Sequence, residues 1–164
     1  MKSQISTSIR RVDAREKTGG SAAYLADMEF PGMLFAKMVR ATEARARIKR
    51  VDVPDMPEGY HYIDAGDIPE GGKNRIEMIK DDWPVFADRE VRFIGESIGM
   101  VVGPDRSKVL ELRDRVRVEY EVLEPALTID EALELRGGPI HGEDNCYADY
   151  RLRKGDPDSA FSVA

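Results

Sequence analysis

The sequence predicts an α+β fold, in which a mixed sheet packs against two or three short helices. Strand-like and helix-like segments follow one another without the regular alternation of a doubly wound parallel sheet. The chain has 164 residues, of which 41% are hydrophobic and 34% are charged, enough for one domain with a hydrophobic core. A single cysteine permits no internal disulfide, so apolar packing must hold the fold together.

The first strands are predicted from alternation. Residues 21–28, after the turn at Lys17–Gly20, can form a short strand. Residues 34–39 alternate and predict a strand with one buried face. Residues 44–53 have a helix-favouring composition, yet apolar and basic side chains alternate there, so the period of two predicts a strand. An extended segment, a short helical turn and a loop are predicted to follow, at residues 60–63, 64–69 and 70–80.

Two apolar runs, residues 91–94 and 98–102, give the strongest strand signal in the chain. They are separated by a short glycine-containing segment. Gly95 and Gly99 predict a bend or a bulge where the two runs meet.

A helix is predicted directly after the second run. Asp105 or Ser107 can cap it, because their side-chain oxygens accept hydrogen bonds from unpaired first-turn amides. Val109, Leu112 and Val116 fall on one face at helical spacing, which predicts that this face is buried.

The last third of the chain becomes progressively less regular. Residues 116–122 alternate as a strand, and Thr128 with Glu131 forms a capping-box pattern that opens a short helix. The turn at residues 137–139 begins a polar, irregular segment. Pro157 then suits the first position of a last helix.

Charge and hydropathy exclude two classes of function. The net charge of −6 argues against a nucleic-acid binder, because such proteins neutralise phosphates with an excess of basic residues. No apolar run reaches the roughly 18 residues of a membrane-spanning helix. The N-terminal residues lack the apolar stretch of a signal peptide, which predicts a cytoplasmic protein. A basic cluster is interpreted as a solvated strand face, formed by Arg45, Arg47, Lys49 and Arg50.

The sharpest catalytic motif is a Gly-x-Ser-x-Gly pattern centred on Ser97, which matches a nucleophile elbow. An acid, Asp114 or Asp130, and then His141 follow in the chain order of an α/β-hydrolase triad. The elbow requires a helix directly after the serine. The residues that follow are apolar and strand-favouring, so we expect a continuing strand and no nucleophile.

Motifs for metals and cofactors are weak. His61 and His141 have no partner at metal-ligand spacing, and zinc needs three or four converging ligands. Cys146 has no basic neighbour to activate its thiol. The acidic residues at 81–82 and 88–90 are interpreted as solvated loop charges rather than an acid/base pair or a cation site. No glycine-rich phosphate-binding loop is present.

An ordered series of segments resembles one family. Residues 10–19, 23–27 and 30–34 look like the opening of the large, molybdenum-binding subunit of xanthine dehydrogenase and aldehyde oxidase-type hydroxylases. Residues 88–102, Asp-Arg-Glu-Val-Arg-Phe-Ile-Gly-Glu-Ser-Ile-Gly-Met-Val-Val, are similar to the most recognisable stretch of this family. Further matches follow in the same order, at residues 44–52, 59–69, 116–125, 128–133 and 153–156.

The resemblance implies the α/β hammerhead fold, with a hammerhead domain at residues 1–136 and a connecting tail at 137–164 that leads toward a molybdenum-cofactor domain. In this family the molybdopterin, the catalytic glutamate and the substrate pocket lie C-terminal to the hammerhead. The resemblance therefore implies a fragment that is inactive alone and has no catalytic, cofactor-binding or metal-binding residue. The family also commonly has proline where Ser97 stands.

The implied parent is an oxidoreductase, a molybdenum hydroxylase that acts on purines, N-heterocycles or aldehydes. Iron–sulfur clusters and FAD would be carried on its other domains or subunits. Two alternatives from other classes are a small serine hydrolase that uses Ser97 and His141, and a binding module of unknown partner.

Apolar residues near the end of the chain form the candidate interface. They lie in a segment otherwise rich in charge and glycine, and exposed apolar groups often mark interaction sites. We expect them to contact the rest of the molybdenum-binding subunit, iron–sulfur and flavin partners, or a second copy in a homo-oligomer. The four residues are Tyr147, Tyr150, Leu152 and Phe161.

Overall fold

A computed structural model describes residues 8–77 and 83–163 of the chain. The chain divides into two compact units, Met1–Met33 and Leu34–Ala164. Strands and short helices are both present, which confirms the α+β class. Within the described residues, no helix has the length and apolar character needed to cross a membrane.

The described part of the first unit contains a short helix, α1 (Ala14–Thr18), and a 3-10 turn at Leu25–Asp27. The prediction of a strand over residues 21–28 is wrong. The Ser21 amide donates a hydrogen bond to the Glu16 carbonyl at 2.9 Å, which folds the chain back against the end of α1. The backbone is therefore turned where a strand would have to be extended.

The strands of the second unit form two separate three-stranded sheets, with the orders β1-β5-β3 and β4-β2-β6. Every pairing is antiparallel, so two antiparallel sheets replace the single mixed sheet that the sequence predicted. β1 and β2 follow one another in the chain but belong to different sheets: β1 pairs with β5, whereas β2 pairs with β4 and β6. The strands are β1 (Phe35–Arg40), β2 (Ala46–Asp52), β3 (His61–Asp64), β4 (Glu90–Val91), β5 (Ser97–Gly103) and β6 (Arg117–Val122).

Three helices accompany these strands in the described part of the second unit, and the sequence predicted where each one begins. They are α2 (Arg106–Arg115), α3 (Ile129–Leu133) and α4 (Pro157–Ser162). The Asp105 carboxylate accepts a hydrogen bond from the Lys108 amide at 2.6 Å at the start of α2. A capping box between Thr128 and Glu131 opens α3. The helical turn predicted at residues 64–69 is a 3-10 turn at Ala65–Asp67.

One face of α2 forms most of the first hydrophobic cluster. Val109 and Leu112 are buried, with 1% and 0% of their surfaces exposed, as the helical spacing predicted. They pack with Val39 of β1 and Val101 of β5. In β1, Val39 is the buried side chain, with 5% of its surface exposed, because it packs against the α2 residues of this cluster.

A second cluster lies between the strands of the other sheet and the start of β5. It consists of small apolar side chains, including Ala46, Val91 and Ile98. Val51 and Val118 pack against both clusters, so they connect the two cores of this unit.

The predicted irregularity near Gly95 and Gly99 is present. Gly95 has a φ of +90°, in the left-handed region, and the register between β1 and β5 shifts at Val39 and Arg40. At Gly99, an added Cβ would lie 2.4 Å from the Tyr62 hydroxyl oxygen. Glycine is required there because the Tyr62 ring crosses directly over the strand.

We predict that Leu112→Ala lowers the free energy of unfolding by roughly 2–5 kcal/mol, because the substitution leaves a cavity in the first cluster. Urea unfolding followed by circular dichroism measures this change. Leu133→Ala is the matched control, because Leu133 is 71% exposed in α3. Equal unfolding midpoints for the two variants would contradict the packing described for α2.

Candidate functional site

Ser97 is the first residue of β5, and the strand continues without interruption to Gly103. The Ala87 amide donates a hydrogen bond to the Ser97 carbonyl at 2.8 Å, which ties the residue into extended structure. The next helix, α2, begins only at Arg106. The helix that a nucleophile elbow needs after the serine is absent here, so the geometry argues against the serine hydrolase alternative.

The other residues considered for chemistry lie on the surface or in loops. His61 is exposed in β3, and exposed His141 stacks edge-on against Tyr147 with ring centroids 6.0 Å apart. Cys146 is exposed and free. Within the described residues, no group of three or more His, Cys, Asp or Glu side chains can hold a metal ion. Asp81 and Asp82 lie outside the described residues.

Arg45 makes polar contacts that link distant parts of the second unit. It directly precedes β2 and is only 8% exposed. Its Nε lies 3.1 Å from Oε1 of Glu90 in β4. Its Nη1 donates hydrogen bonds to the carbonyls of Gly137 and Gly138, at 2.7 and 3.2 Å. Arg45 therefore joins the second sheet to the segment that follows α3.

This arrangement corrects two interpretations drawn from the sequence. Arg45 does not belong to a solvated face, whereas Arg47, Lys49 and Arg50 are exposed as predicted. Glu90 is not a free loop charge, because it is the ion-pair partner of Arg45. Alternation identified the strand correctly, but it could not reveal a partner 92 positions away along the chain.

The turn that Arg45 holds requires glycine. Gly137 has a φ of +70°, and an added Cβ would lie 2.2 Å from the Glu124 carbonyl oxygen. Any side chain at this position would therefore collide with the backbone that leads out of β6. The close approach lets both carbonyls of the Gly137–Gly138 turn reach the Arg45 guanidinium.

Asn145 provides a second attachment for the same segment. Its side-chain amide donates a hydrogen bond to the Ala132 carbonyl in α3 at 2.9 Å. Its Oδ1 accepts hydrogen bonds from the amides of Ile140 and His141, at 2.6 and 3.1 Å. Residues 137–145 are thus held against the domain, although the sequence predicted that the irregular tail begins at 137.

Beyond Asn145 the chain exposes the apolar side chains of the candidate interface. Tyr150, Leu152 and Phe161 are each more than four-fifths exposed, and Tyr147 is 38% exposed. Phe161 lies on α4, whose first turn is capped by Asp156. We call these four residues the tail surface. Its role as an interface remains a prediction.

Among the described residues, Glu96 is buried like Arg45, with 2% of its surface exposed. It follows the left-handed Gly95, and its Oε2 accepts a hydrogen bond from the Arg92 amide at 2.6 Å. Burial raises the pKa of the Glu96 carboxyl, while the hydrogen bond from the Arg92 backbone opposes that shift. The carboxyl group closes the turn between β4 and β5.

The second unit consists of two antiparallel sheets, with a helix packed on one of them and a glycine turn that is hydrogen-bonded to Arg45. This architecture is that of a small α+β domain of the hammerhead type. The chain belongs to the family described as "Aldehyde oxidase and xanthine dehydrogenase, a/b hammerhead domain", whose sequence profile matches residues 19–124. This confirms the family that the order of sequence segments indicated.

Sequence relatives agree with this assignment. The chain is 38% identical over 154 residues to the nicotinate dehydrogenase large molybdopterin subunit of Eubacterium barkeri, covering 92% of this chain and 36% of that protein. It is 34% identical over 160 residues to xanthine dehydrogenase of Blastobotrys adeninivorans, covering 92% of this chain and 11% of that protein. The chain therefore spans about a third or less of the length of these relatives.

Two solved structures show the same fold. The quinoline 2-oxidoreductase of Pseudomonas putida 86 matches with a TM-score of 0.66 and 32% identity, over 82% of this chain and 18% of that one. The aldehyde oxidoreductase of Desulfovibrio desulfuricans matches with a TM-score of 0.72 and 26% identity, over 87% of this chain and 17% of that one. The hammerhead is thus one segment of much longer oxidoreductase chains.

We predict that Arg45→Met destabilises the domain by about 3 kcal/mol or more, because it leaves Glu90 without its partner in a partly buried position. The amides of Gly138 and Asn145 should exchange faster with solvent as residues 137–145 detach. Urea unfolding and hydrogen exchange measure the two effects. Arg47→Met is the control, since its pair with Glu121 is exposed and should cost less than about 1 kcal/mol. Equal losses in both variants would contradict the role of Arg45.

We predict that Glu96→Gln becomes more stable relative to the native chain as the pH rises from acid to neutral. The raised pKa means that the folded state prefers the protonated carboxyl. The native chain therefore keeps its full stability below pH 4.5, the pKa of the unfolded-state carboxyl. It loses stability as the pH rises through the higher pKa of the folded state. Urea midpoints across this range test the sign. Glu119→Gln, at an exposed position of β6, is the control. A difference that is independent of pH would contradict the prediction.

Proposed function

We propose that this chain is a non-catalytic structural domain in the large subunit of a molybdenum hydroxylase. The parent enzyme would hydroxylate purines, N-heterocycles or aldehydes. The observation that carries the proposal is the 38% identity, over 92% of the chain, to a protein named as a large molybdopterin subunit. The family assignment and the oxidoreductase names of the structural neighbours support it.

We propose that the hammerhead comprises residues 1–136 and that residues 137–164 form the connecting tail. The contacts of Arg45 and Asn145 support a fixed starting point for this tail, because they hold residues 137–145 in place. Beyond that point, the exposed tail surface is available to contact the next domain. The hammerhead would then brace the molybdenum-binding part and position it against iron–sulfur and flavin partners in the cytoplasm.

The cofactors of the parent would be bound elsewhere. The described residues contain no group of three or more potential metal ligands, and an iron–sulfur cluster takes four cysteines whereas this chain has one. The described side chains therefore offer no ligand set for an iron–sulfur cluster. The contribution of the hammerhead to the reaction would therefore be mechanical.

Complementation tests the bracing role. The chain and the separately produced remainder of the large subunit are mixed, and we expect a stable complex that contains molybdenum. The chain alone should contain no stoichiometric molybdenum, flavin or iron–sulfur absorption. Size-exclusion chromatography, metal analysis and turnover of an N-heterocyclic substrate are the measurements.

Matched variants make the test specific to the tail surface. Tyr150→Ser and Leu152→Ser should weaken the complex, whereas Val122→Ser, at an exposed position at the end of β6, should not. Full cofactor loading and full turnover by the remainder alone would overturn the bracing role. If Tyr150→Ser and Leu152→Ser weaken only the self-association of this chain, the tail surface is instead an interface between copies in a homo-oligomer.

A further inference from the structure

A groove of ≈ 300 Å³ opens where the end of β1, the last turn of α2 and the first half of β6 meet. Its charged lining consists of Arg40, Arg113, Asp114 and Arg117, and we call it the arginine groove. Its lining includes neither the tail surface nor Arg45 and its partner Glu90. Neither the family assignment nor the proposed bracing role accounts for it.

The charge of the groove is opposite to that of the chain. Three arginines face one aspartate in the groove, whereas the whole chain carries a net charge of −6. A local excess of positive charge on an acidic protein attracts a negatively charged partner and orients it during the encounter. The charge pattern therefore indicates an acidic ligand.

Two of the arginines are fixed in place by the backbone. Arg40 Nη1 donates a hydrogen bond to the Gly95 carbonyl at 2.7 Å. Arg117 Nη1 donates to the carbonyls of Asp114 and Val116. Because these two side chains are already ordered, they lose less conformational entropy when a ligand binds.

Arg113 lies in the groove as the ion-pair partner of Asp114. Its Nε lies 3.1 Å from Asp114 Oδ1, yet this nitrogen is buried and makes no hydrogen bond within the described residues. A guanidinium group has five N–H donors in a planar fork that matches a carboxylate. The Arg113 side chain is 34% exposed, so a carboxylate can reach the outer donors and would be partly desolvated there.

The uncharged part of the groove is mainly apolar. Half-buried Val118 and Tyr120 line it, together with the small exposed parts of the core residues Val39 and Val116. Free phosphate would engage the guanidinium groups but leave this apolar lining uncovered. The volume is at the lower end of the roughly 300–1,000 Å³ typical of ligand sites, and it suits one or two side chains rather than a cofactor.

We propose that the arginine groove binds a short acidic peptide segment of a partner protein, in which carboxylates alternate with apolar side chains. The carboxylates contact Arg113 and its neighbours, and the apolar side chains cover Val118 and Tyr120. This proposal goes beyond the bracing role and does not depend on assignment of the chain to a molybdenum hydroxylase.

Amide chemical-shift titration of the full chain by NMR tests the proposal. The probe is a short capped peptide of alternating Glu and Leu, and its counterpart has Gln in place of Glu. We expect the Glu peptide to shift the amides of Val39, Val116 and Val118 and to bind at least about tenfold more tightly than the Gln peptide. Added salt should weaken the binding. Equal binding of the two peptides would overturn the proposal, and this comparison needs no protein variant.

Two arginine variants on α2 locate the contact. Arg113→Gln should weaken binding of the Glu peptide on the order of tenfold. Arg115→Gln makes the same change of charge on the same helix, at a side chain that is 55% exposed and outside the groove, and should have little effect. The dispersion of the amide spectrum shows that each variant is folded. Equal losses in both variants, or complete displacement of the peptide by inorganic phosphate at equal concentration, would overturn the proposal.

Discussion

The buried contact between Arg45, Glu90 and the Gly137–Gly138 turn is the constraint on which the second unit depends. It joins the start of β2 to β4 and to the segment beyond α3. Removing a guanidinium and a carboxylate from water is costly, and the hydrogen bonds to two backbone carbonyls offset part of that cost. In return, these hydrogen bonds fix the position of the Gly137–Gly138 turn against β2 and β4.

Features that depend on neighbouring residues were predictable from the sequence. The cap at Asp105, the capping box at Thr128 and the buried stripe of Val109 and Leu112 each involve residues within one or two helical turns. Alternation likewise identified β2 despite its helix-favouring composition. The family could be recognised because its segments recur in order, although no single motif among them is decisive.

Features that depend on distant partners were not predictable. Alternation assigns side chains to faces of a strand, but it does not specify which strands pair, so two antiparallel sheets could not be distinguished from one mixed sheet. Arg45 looked like its exposed neighbours because its partners lie far along the chain. The strand expected at residues 21–28 failed because the Ser21 amide binds back to Glu16. The Gly137–Gly138 pair signalled a turn locally, but it did not identify Arg45 as the partner of that turn.

The size of the core suggests why such a domain suits a bracing role. Among the described residues, the largest fully buried side chains are one leucine and three valines, and the second cluster consists largely of alanines. Side chains this small bury little apolar area, so each sheet contributes limited stability by itself. Tyr150, Leu152 and Phe161 meanwhile remain exposed. A domain with a modest core and exposed apolar side chains would gain stability from a neighbour that covers them, and its folding would then be coupled to assembly with that neighbour.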